Sequence, residues 1–363
     1  MNKAAPSQAA DAAFMVAALS LAARNLGDTW PNPAVGCVIV KDNIVIGRGW
    51  TQSGGRPHAE TEALKRAGSS AKGATAYVTL EPCSHHGKTP PCADALIAAG
   101  IARVVVATID PDPRVAGQGI ARLKAAGIQV DVGLAKAPAE RLNAGFFLRV
   151  GQNRPLYALK TASSLDGRIA LSNGDSKWIT GPEARQAVQA LRARYDAILI
   201  GSGTALADDP ELTCRLEGYE GRPKVRIVLD RRLRLPLTSR LVKSARDIPT
   251  WVVTSEVGRK AEALVEAGVD VITAKSDALG LVLAERGITR VLVEGGGQVA
   301  AAFLKAHMID QITWFRAGGI IGSEGIPAVG DLQATYLAAI PSFTRVETLV
   351  FGADTLDILV RRI

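Results

Sequence analysis

The sequence predicts two α/β domains in one chain, residues 1–150 and 151–363. Three observations carry this reading. The 363 residues exceed the usual size of a single hydrophobic core. A hairpin pattern near the N-terminus runs into alternating helix and strand, as in a sheet covered by helices. After a break near residue 150, a second strand–helix series begins that does not repeat the first.

In the first half, an alanine-rich helix from about Ala12 to Arg24 precedes two β-branched runs, Val35 to Val40 and Ile44 to Gly47. Lys41-Asp42-Asn43 separates the runs, so they read as a hairpin. A helix follows His58, then a strand at Ala76 to Leu80 and a helix opening near Pro91. A strand at Val104 to Ala107, a helix near Ile120 to Ala126 and a strand at Ile128 to Val132 complete the series. The stretch from Gly145 to Pro155, with Gly151-Gln152-Asn153, breaks the periodicity and is the predicted linker. Beyond it, strands are expected near Leu156 to Thr161, Ala197 to Gly201, Val225 to Leu229, Trp251 to Thr254 and Val291 to Glu294.

Composition narrows the function classes. Apolar residues make up 47% and charged residues 21%, which is the balance of a folded globular chain. No apolar run approaches the roughly 20 residues needed to span a bilayer, and Met1 to Asp11 lacks the basic and apolar regions of a signal peptide. A cytoplasmic location and no membrane partner are therefore expected. The four cysteines, Cys37, Cys83, Cys92 and Cys214, are too scattered for a disulfide framework, so metal ligation becomes the question. The net charge of +8 suits an anionic partner, but the cations are dispersed apart from Arg231-Arg232-Leu233-Arg234. A nucleic acid is not expected, because aromatic residues for base stacking are only 5%.

His58-Ala59-Glu60 opens a predicted helix, while Pro82-Cys83 follows a strand and Cys92, after eight intervening residues, opens the next helix. One imidazole and two thiolates can fill three tetrahedral positions on Zn²⁺ and leave the fourth for water, the open arrangement of a catalytic site. Helix N-termini favour the deprotonated thiols that bind metal. Glu60, two residues from His58, can reach the water rather than the metal and serve as general base, then acid. Any of these residues alone would read as a surface histidine or a small buried cysteine. Together they form the H-x-E and P-C pattern of zinc deaminases, with a longer cysteine spacing than P-C-x-x-C.

That longer spacing is the discriminating part. Pro31-Asn32-Pro33-Ala34-Val35-Gly36-Cys37-Val38, His58-Ala59-Glu60 and the run from Leu80 through Pro82-Cys83-Ser84-His85-His86-Gly87-Lys88 to Cys92 closely resemble the bifunctional riboflavin biosynthesis deaminase-reductase family. The resemblance implies a cytidine-deaminase-like α/β/α sandwich acting on 2,5-diamino-6-ribosylamino-4(3H)-pyrimidinone 5′-phosphate. It implies His58, Cys83 and Cys92 as zinc ligands and Glu60 as the catalytic acid–base. By the same match, Asn32 and His85 contact the pyrimidine, Lys88 the phosphate, and Asp110 with Asp112 the ribose region.

The second half resembles the same family in Lys160 to Arg168, Ser176 to Thr180, Asp196 to Ile198 and Asp208 to Arg215. This implies a dihydrofolate-reductase-like α/β domain that uses NADPH to reduce the ribose to a ribityl chain. Lys160, Ser176, Arg192, Leu212, Arg215 and Glu294 are implied on the substrate side. Ala162, Trp178, Thr204 and Asp208 are implied on the cofactor side. Gly295-Gly296-Gly297-Gln298 lies between a strand and a helix, where backbone N–H groups can face a phosphate. Arg231, Arg232 and Arg234 are candidates for the 2′-phosphate of NADPH. A homo-oligomer is expected, with a phosphorylated small molecule as the partner.

Overall fold

The computed structural model describes residues 7–85 and 90–362. The chain divides into two compact units, Met1–Arg154 and Pro155–Ile363.

The first unit opens with α1 (Gln8–Ala22), whose first turn is capped by the Ser7 hydroxyl accepting from the Ala10 N–H. Next come β1 (Gly36–Lys41) and β2 (Ile44–Trp50), paired antiparallel. Asp42 and Asn43 turn this hairpin with φ of 54° and 60°, a region that Asp and Asn tolerate better than other side chains. The unit continues with α2 (Ala59–Ala67), β3 (Thr75–Val78), α3 (Cys92–Ala98), β4 (Arg103–Val106), α4 (Gln118–Ala125), β5 (Gln129–Val132), α5 (Lys136–Leu142) and α6 (Ala144–Gln152).

The sheet runs β2-β1-β3-β4-β5, with β3, β4 and β5 parallel. Strand alternation sends Cys37 and Ile39 of β1 to one face and Val38 and Val40 to the other. Ala63 of α2, Leu96 of α3, Leu123 of α4 and Phe146 of α6 pack on the first face. Met15 of α1 and Ala139 of α5 pack on the second, which gives three layers.

The segment from Gly145 to Pro155, expected as a linker, is mostly helix. Phe146 is buried, and Phe147 and Val150 pack on the same core, so apolar burial outweighs the local breakers Gly145 and Gly151. The unit boundary therefore lies at Arg154–Pro155 and not at residue 150.

The second unit comprises β6 (Leu156–Ser163), β7 (Arg168–Ala170), α7 (Pro182–Ala193), β8 (Ala197–Gly201), α8 (Ser202–Asp208), β9 (Val225–Leu229), α9 (Arg240–Lys243), β10 (Thr250–Thr254) and α10 (Arg259–Glu266). It ends with β11 (Asp270–Thr273), α11 (Leu279–Glu285), β12 (Arg290–Val293), α12 (Gly297–Lys305), β13 (Gln311–Arg316), β14 (Ile326–Pro327), β15 (Phe343–Phe351) and β16 (Asp354–Arg361). Among the described residues its main sheet has nine strands, ordered β11-β10-β9-β8-β12-β6-β13-β16-β15. All are parallel to their neighbours until β16 and β15, which close one edge as an antiparallel hairpin. From β8 the chain continues toward β9, and from the adjacent β12 it continues the other way, toward β13. Such a switch point opens a crevice at the carboxyl ends of the strands, where ligands of α/β sheets bind.

Close packing sets the position of α2. A Cβ added at Gly49 of β2 would lie 2.0 Å from the Ala59 carbonyl oxygen, and one at Gly47 would lie 2.4 Å from the Ala63 oxygen. The strand therefore touches the helix backbone directly, which requires glycine there. Gly49→Ala should push the first turn of α2 outward, costing about 1–3 kcal/mol and weakening zinc retention. An unchanged melting temperature and zinc content in the full-length variant would contradict this account.

Candidate active sites

Three segments converge in the first unit. His58 is the N-cap of α2, Cys83 follows β3, and Cys92 is the first residue of α3. His58 Nδ1 lies 3.3 Å from Cys92 Sγ and 3.7 Å from Cys83 Sγ, and the ligand atoms of all three residues lie within 4.8 Å of one another. Zn–S bonds of about 2.3 Å and Zn–N bonds of about 2.0 Å place tetrahedral ligands roughly 3.5–4 Å apart. The donor set and its spacing therefore fit zinc.

The electrostatics agree. The Cys92 backbone N–H, at the start of α3, donates to Cys83 Sγ at 3.3 Å. Cys83 is held well below the usual thiol range, first by the Cys92 thiol and then by His58. Cys92 is pushed up because it shares its proton with Cys83, and burial adds to this. His58 is raised by its contact with Cys83. Glu60, in the first turn of α2, is 3% exposed, and burial raises it to about 7, with the His58 charge opposing. Without a cation, then, this cluster keeps protons that a metal would displace.

The other expected residues of this site are placed unevenly. Asn32 packs against Gly55, where a Cβ would come within 2.0 Å of Asn32 Nδ2. Asp110 is buried and raised to about 6, chiefly by desolvation, and the charges of Glu81 and Cys83 contribute. Asp112 lies within electrostatic reach of His85, which is exposed, but the Asp112 carboxylate is engaged by the Arg114 guanidinium. Lys88 and His86 lie outside the described residues.

The second site gathers at the end of β12. Arg192 of α7 donates from Nε to Glu294 Oε1 at 2.7 Å and from Nη2 to Oε2 at 2.9 Å, while Nη1 donates to the Thr213 carbonyl oxygen at 2.9 Å. Lys160 Nζ of β6 stands 3.9 Å from Glu294 Oε2. These cations hold the Glu294 carboxyl down at about 2, although burial acts the other way, and Arg215 adds to the effect. Burial lowers Lys160, with the Glu294 charge opposing. Arg192 is thus committed to Glu294, and Arg215 is the more exposed guanidinium, paired at 3.6 Å with Glu211.

Leu212 is buried, with a left-handed φ of 52°, on the loop that carries Arg215. Ser176 is half-buried on an irregular segment, and Trp178 is 69% exposed beneath the Arg185 guanidinium, 4.7 Å from the ring centroid. Ala162 lies two residues beyond Lys160 on β6. Thr204 Oγ1 of α8 accepts from the Gly296 N–H at 3.3 Å, which ties α8 to the glycine run across the switch point. A Cβ at Gly295 would fall 2.6 Å from Val299, and one at Gly297 would fall 2.6 Å from the Pro327 carbonyl oxygen. Gln298 is exposed in the first turn of α12, and Asp208 is exposed at the end of α8.

Past the ends of β8 and β9, Ser202, Leu229, Asp230, Arg231, Arg232 and Arg234 line a cavity of about 220 Å³. Arg234 Nη2 donates to the Ser202 hydroxyl at 2.6 Å. The buried Asp230 Oδ1 lacks a hydrogen-bond partner among the described residues. A glycine cradle, a helix N-terminus and this cationic cavity fit the phosphates and ribose of a dinucleotide.

Three residues that organise these sites were not singled out from sequence: Glu81, Asn143 and Arg226. Asn143 holds Ala34, beside Asn32, through reciprocal amide bonds of 2.9 Å. Arg226, fully buried, donates to the Glu211 carbonyl oxygen and to Ser244 and Thr250. Their partners are distant in sequence, and although Glu81 lies within the Leu80 to Cys92 run, no local pattern marks the role of any of the three.

No helix among the described residues is long and apolar enough to cross a membrane. Residues 8–108 match the family model of the cytidine and deoxycytidylate deaminase zinc-binding region, and residues 155–356 match that of the RibD C-terminal domain. The riboflavin biosynthesis protein RibD of Aquifex aeolicus is 46% identical over 325 residues, covering 89% of this chain and 90% of that protein. That of Escherichia coli is 44% identical over 363 residues, covering 95% and 97%. A solved structure of Acinetobacter baumannii RibD matches with a TM-score of 0.91 at 40% identity, covering 98% of this chain and 100% of that one. The deaminase/reductase of Thermotoga maritima matches at 0.88 and 36%, covering 98% and 99%. With both halves matched in order, this chain belongs to the RibD family of riboflavin biosynthesis proteins.

Proposed function

We propose that this chain catalyses two consecutive steps of riboflavin biosynthesis, each in its own unit. The first unit replaces the ring 2-amino group of 2,5-diamino-6-ribosylamino-4(3H)-pyrimidinone 5′-phosphate with oxygen. The second reduces the ribose of the product with NADPH. The observation that carries the reading is the convergence of His58, Cys83 and Cys92 beside the buried Glu60 carboxyl.

Zinc held by His58 Nδ1, Cys83 and Cys92 would supply the Lewis acidity that makes water nucleophilic near neutral pH. Glu60 accepts a proton as the water oxygen adds to the ring carbon, and passes it to the amino nitrogen as the C–N bond breaks and ammonia leaves. The Glu60 carboxyl, 3% exposed in the first turn of α2 and two residues from His58, stands where it can take and return that proton. Asn32 and His85 orient the pyrimidine, Asp110 holds the ribose region and Lys88 the phosphate.

In the second unit, NADPH supplies the hydride when bound. Glu294, fixed in its charged form by Arg192 and Lys160, gives the substrate side a rigid acceptor, and Lys160 stands where it can hold the opening sugar. Ser176, Leu212 and Arg215 complete this side, with Arg215 on the phosphate. Gly295, Gly296, Gly297 and Gln298 receive the cofactor phosphates, with Ala162, Trp178, Thr204 and Asp208 around them. Arg231, Arg232 and Arg234 meet the 2′-phosphate.

A homo-oligomer is supported by β15, an edge strand with Val346 54% and Val350 71% exposed. Sedimentation of the full-length chain should show a species larger than the 38.1 kDa monomer, and a purely monomeric profile would remove this reading. The cysteines are unpaired with one another, which supports a reducing, cytoplasmic setting.

Glu60→Ala should keep its zinc and lose deamination by roughly 100- to 10,000-fold, while reduction of supplied deaminated product continues. Mass analysis of products with zinc and NADPH present reads both steps, and loss of both activities in a folded, zinc-loaded variant would contradict independent sites. Replacing Arg231 and Arg232 together with serine should weaken NADPH binding on the order of tenfold and leave NADH binding unchanged. Titration by cofactor fluorescence measures this directly, and equal losses for both cofactors would exclude a 2′-phosphate role.

A further inference from the structure

Glu81 lies two residues before the zinc-ligand cysteine Cys83 and is 3% exposed. A buried carboxylate must find donors to replace water, and Glu81 finds them in the backbone of the connection from β4 to α4 and of the first turn of α4. Its Oε2 accepts from the Gly117 N–H at 2.9 Å and the Asp110 N–H at 3.3 Å, and its Oε1 accepts from the Ile120 N–H at 3.1 Å. Its own N–H donates to the Thr108 carbonyl oxygen at 3.0 Å. One side chain thus gathers the beginning and the end of this segment. Contact is also made by the backbone, since a Cβ at Gly119 would lie 2.0 Å from the Pro82 carbonyl oxygen. Within the gathered segment, Asp110 Oδ1 accepts from the Asp112 N–H at 2.8 Å, which fixes the Asp110 carboxyl in turn.

We infer that Glu81 is a positioning residue of the deaminase site, holding the 110–120 segment against the Cys83 strand end so that Asp110 meets the ribosyl part of the substrate. The inference rests on the deaminase reading above for its substrate, but the clamp itself is a statement about this segment. Glu81 acts through Asp110 and takes no part in the proton transfers, which belong to Glu60. Because the remote ribosyl phosphate aligns the ring, a displaced Asp110 weakens substrate capture more than it slows the bond-breaking step.

The test is Glu81→Gln in the full-length protein. The amide replaces an accepting oxygen with a donor, so at least one of the three N–H groups loses its partner. The expected result is zinc content equal to wild type, a deaminase KM raised on the order of tenfold, a kcat altered much less, and unchanged reduction of supplied deaminated product. Amide hydrogen exchange should accelerate across residues 110–120 and not across β1. Glu81→Asp, which keeps the charge, should recover part of the KM. An unchanged KM with zinc retained would overturn the inference, as would unchanged exchange in the segment. Loss of zinc in a folded variant would overturn it too, by placing the effect on the cysteines. If wild-type protein failed to deaminate the substrate, the proposed function would fall, and the exchange measurement would still decide whether Glu81 holds the segment.

Discussion

The deaminase unit depends on keeping negative charge in a buried place. Cys83, Cys92 and Glu60 are all anionic when ionised, they lie beside one another, and burial makes each charge more costly. Two features of the fold offset this. Cys92 and His58 stand at the starts of α3 and α2, where backbone N–H groups point outward, and the donor spacing accepts a divalent cation. Burial raises Glu60, with the Cys83 charge adding to it, and the hydrogen bond with Cys83 keeps the proton on Cys92. Metal affinity and proton-transfer capacity are therefore set by one arrangement of charge, and the Gly47 and Gly49 contacts that seat α2 serve both.

The reductase unit uses the same physics with the opposite sign. The Glu294 side chain is only 7% exposed, yet its carboxyl is depressed, because Arg192 grips it in a fork and Lys160 lies close by. A carboxylate surrounded by cations cannot exchange a proton near neutrality, so it acts as a fixed charge. Residue type does not distinguish Glu294 from Glu60; the charges of their neighbours do.

What the sequence revealed follows from how local each feature is. His58-Ala59-Glu60 is legible because covalent spacing alone puts a ligand at the N-cap and an acid in the first turn. The hairpin is legible because Asp42-Asn43 tolerates the required backbone. By contrast, α6 was hidden by Gly145, Gly151 and Pro155, and the Phe146 and Val150 packing that decides its structure depends on the sheet beneath. Glu81, Asn143 and Arg226 escaped because they satisfy backbone groups brought near only by the fold, up to 109 residues away in the case of Asn143 and Ala34. The strands β11, β13, β15 and β16 were missed for a related reason. In β15 nearly every side chain is exposed, so it lacks the alternation that marks a half-buried strand.

Net charge was the least informative sequence feature, and its placement explains why. A value of +8 fits any anionic partner, but several cations are consumed within the fold: Arg226 by backbone and hydroxyl acceptors, Arg192 by Glu294, and Arg103 by Asp11 and Asp131. Those that line a cavity or stand exposed at a site are Arg215, Arg231, Arg232 and Arg234. The grouping of Arg231, Arg232 and Arg234 around one cavity suits a compact phosphate group. A phosphate far from the reacting atoms serves such sites well, because its binding energy can align the ring or the sugar without altering the chemistry there.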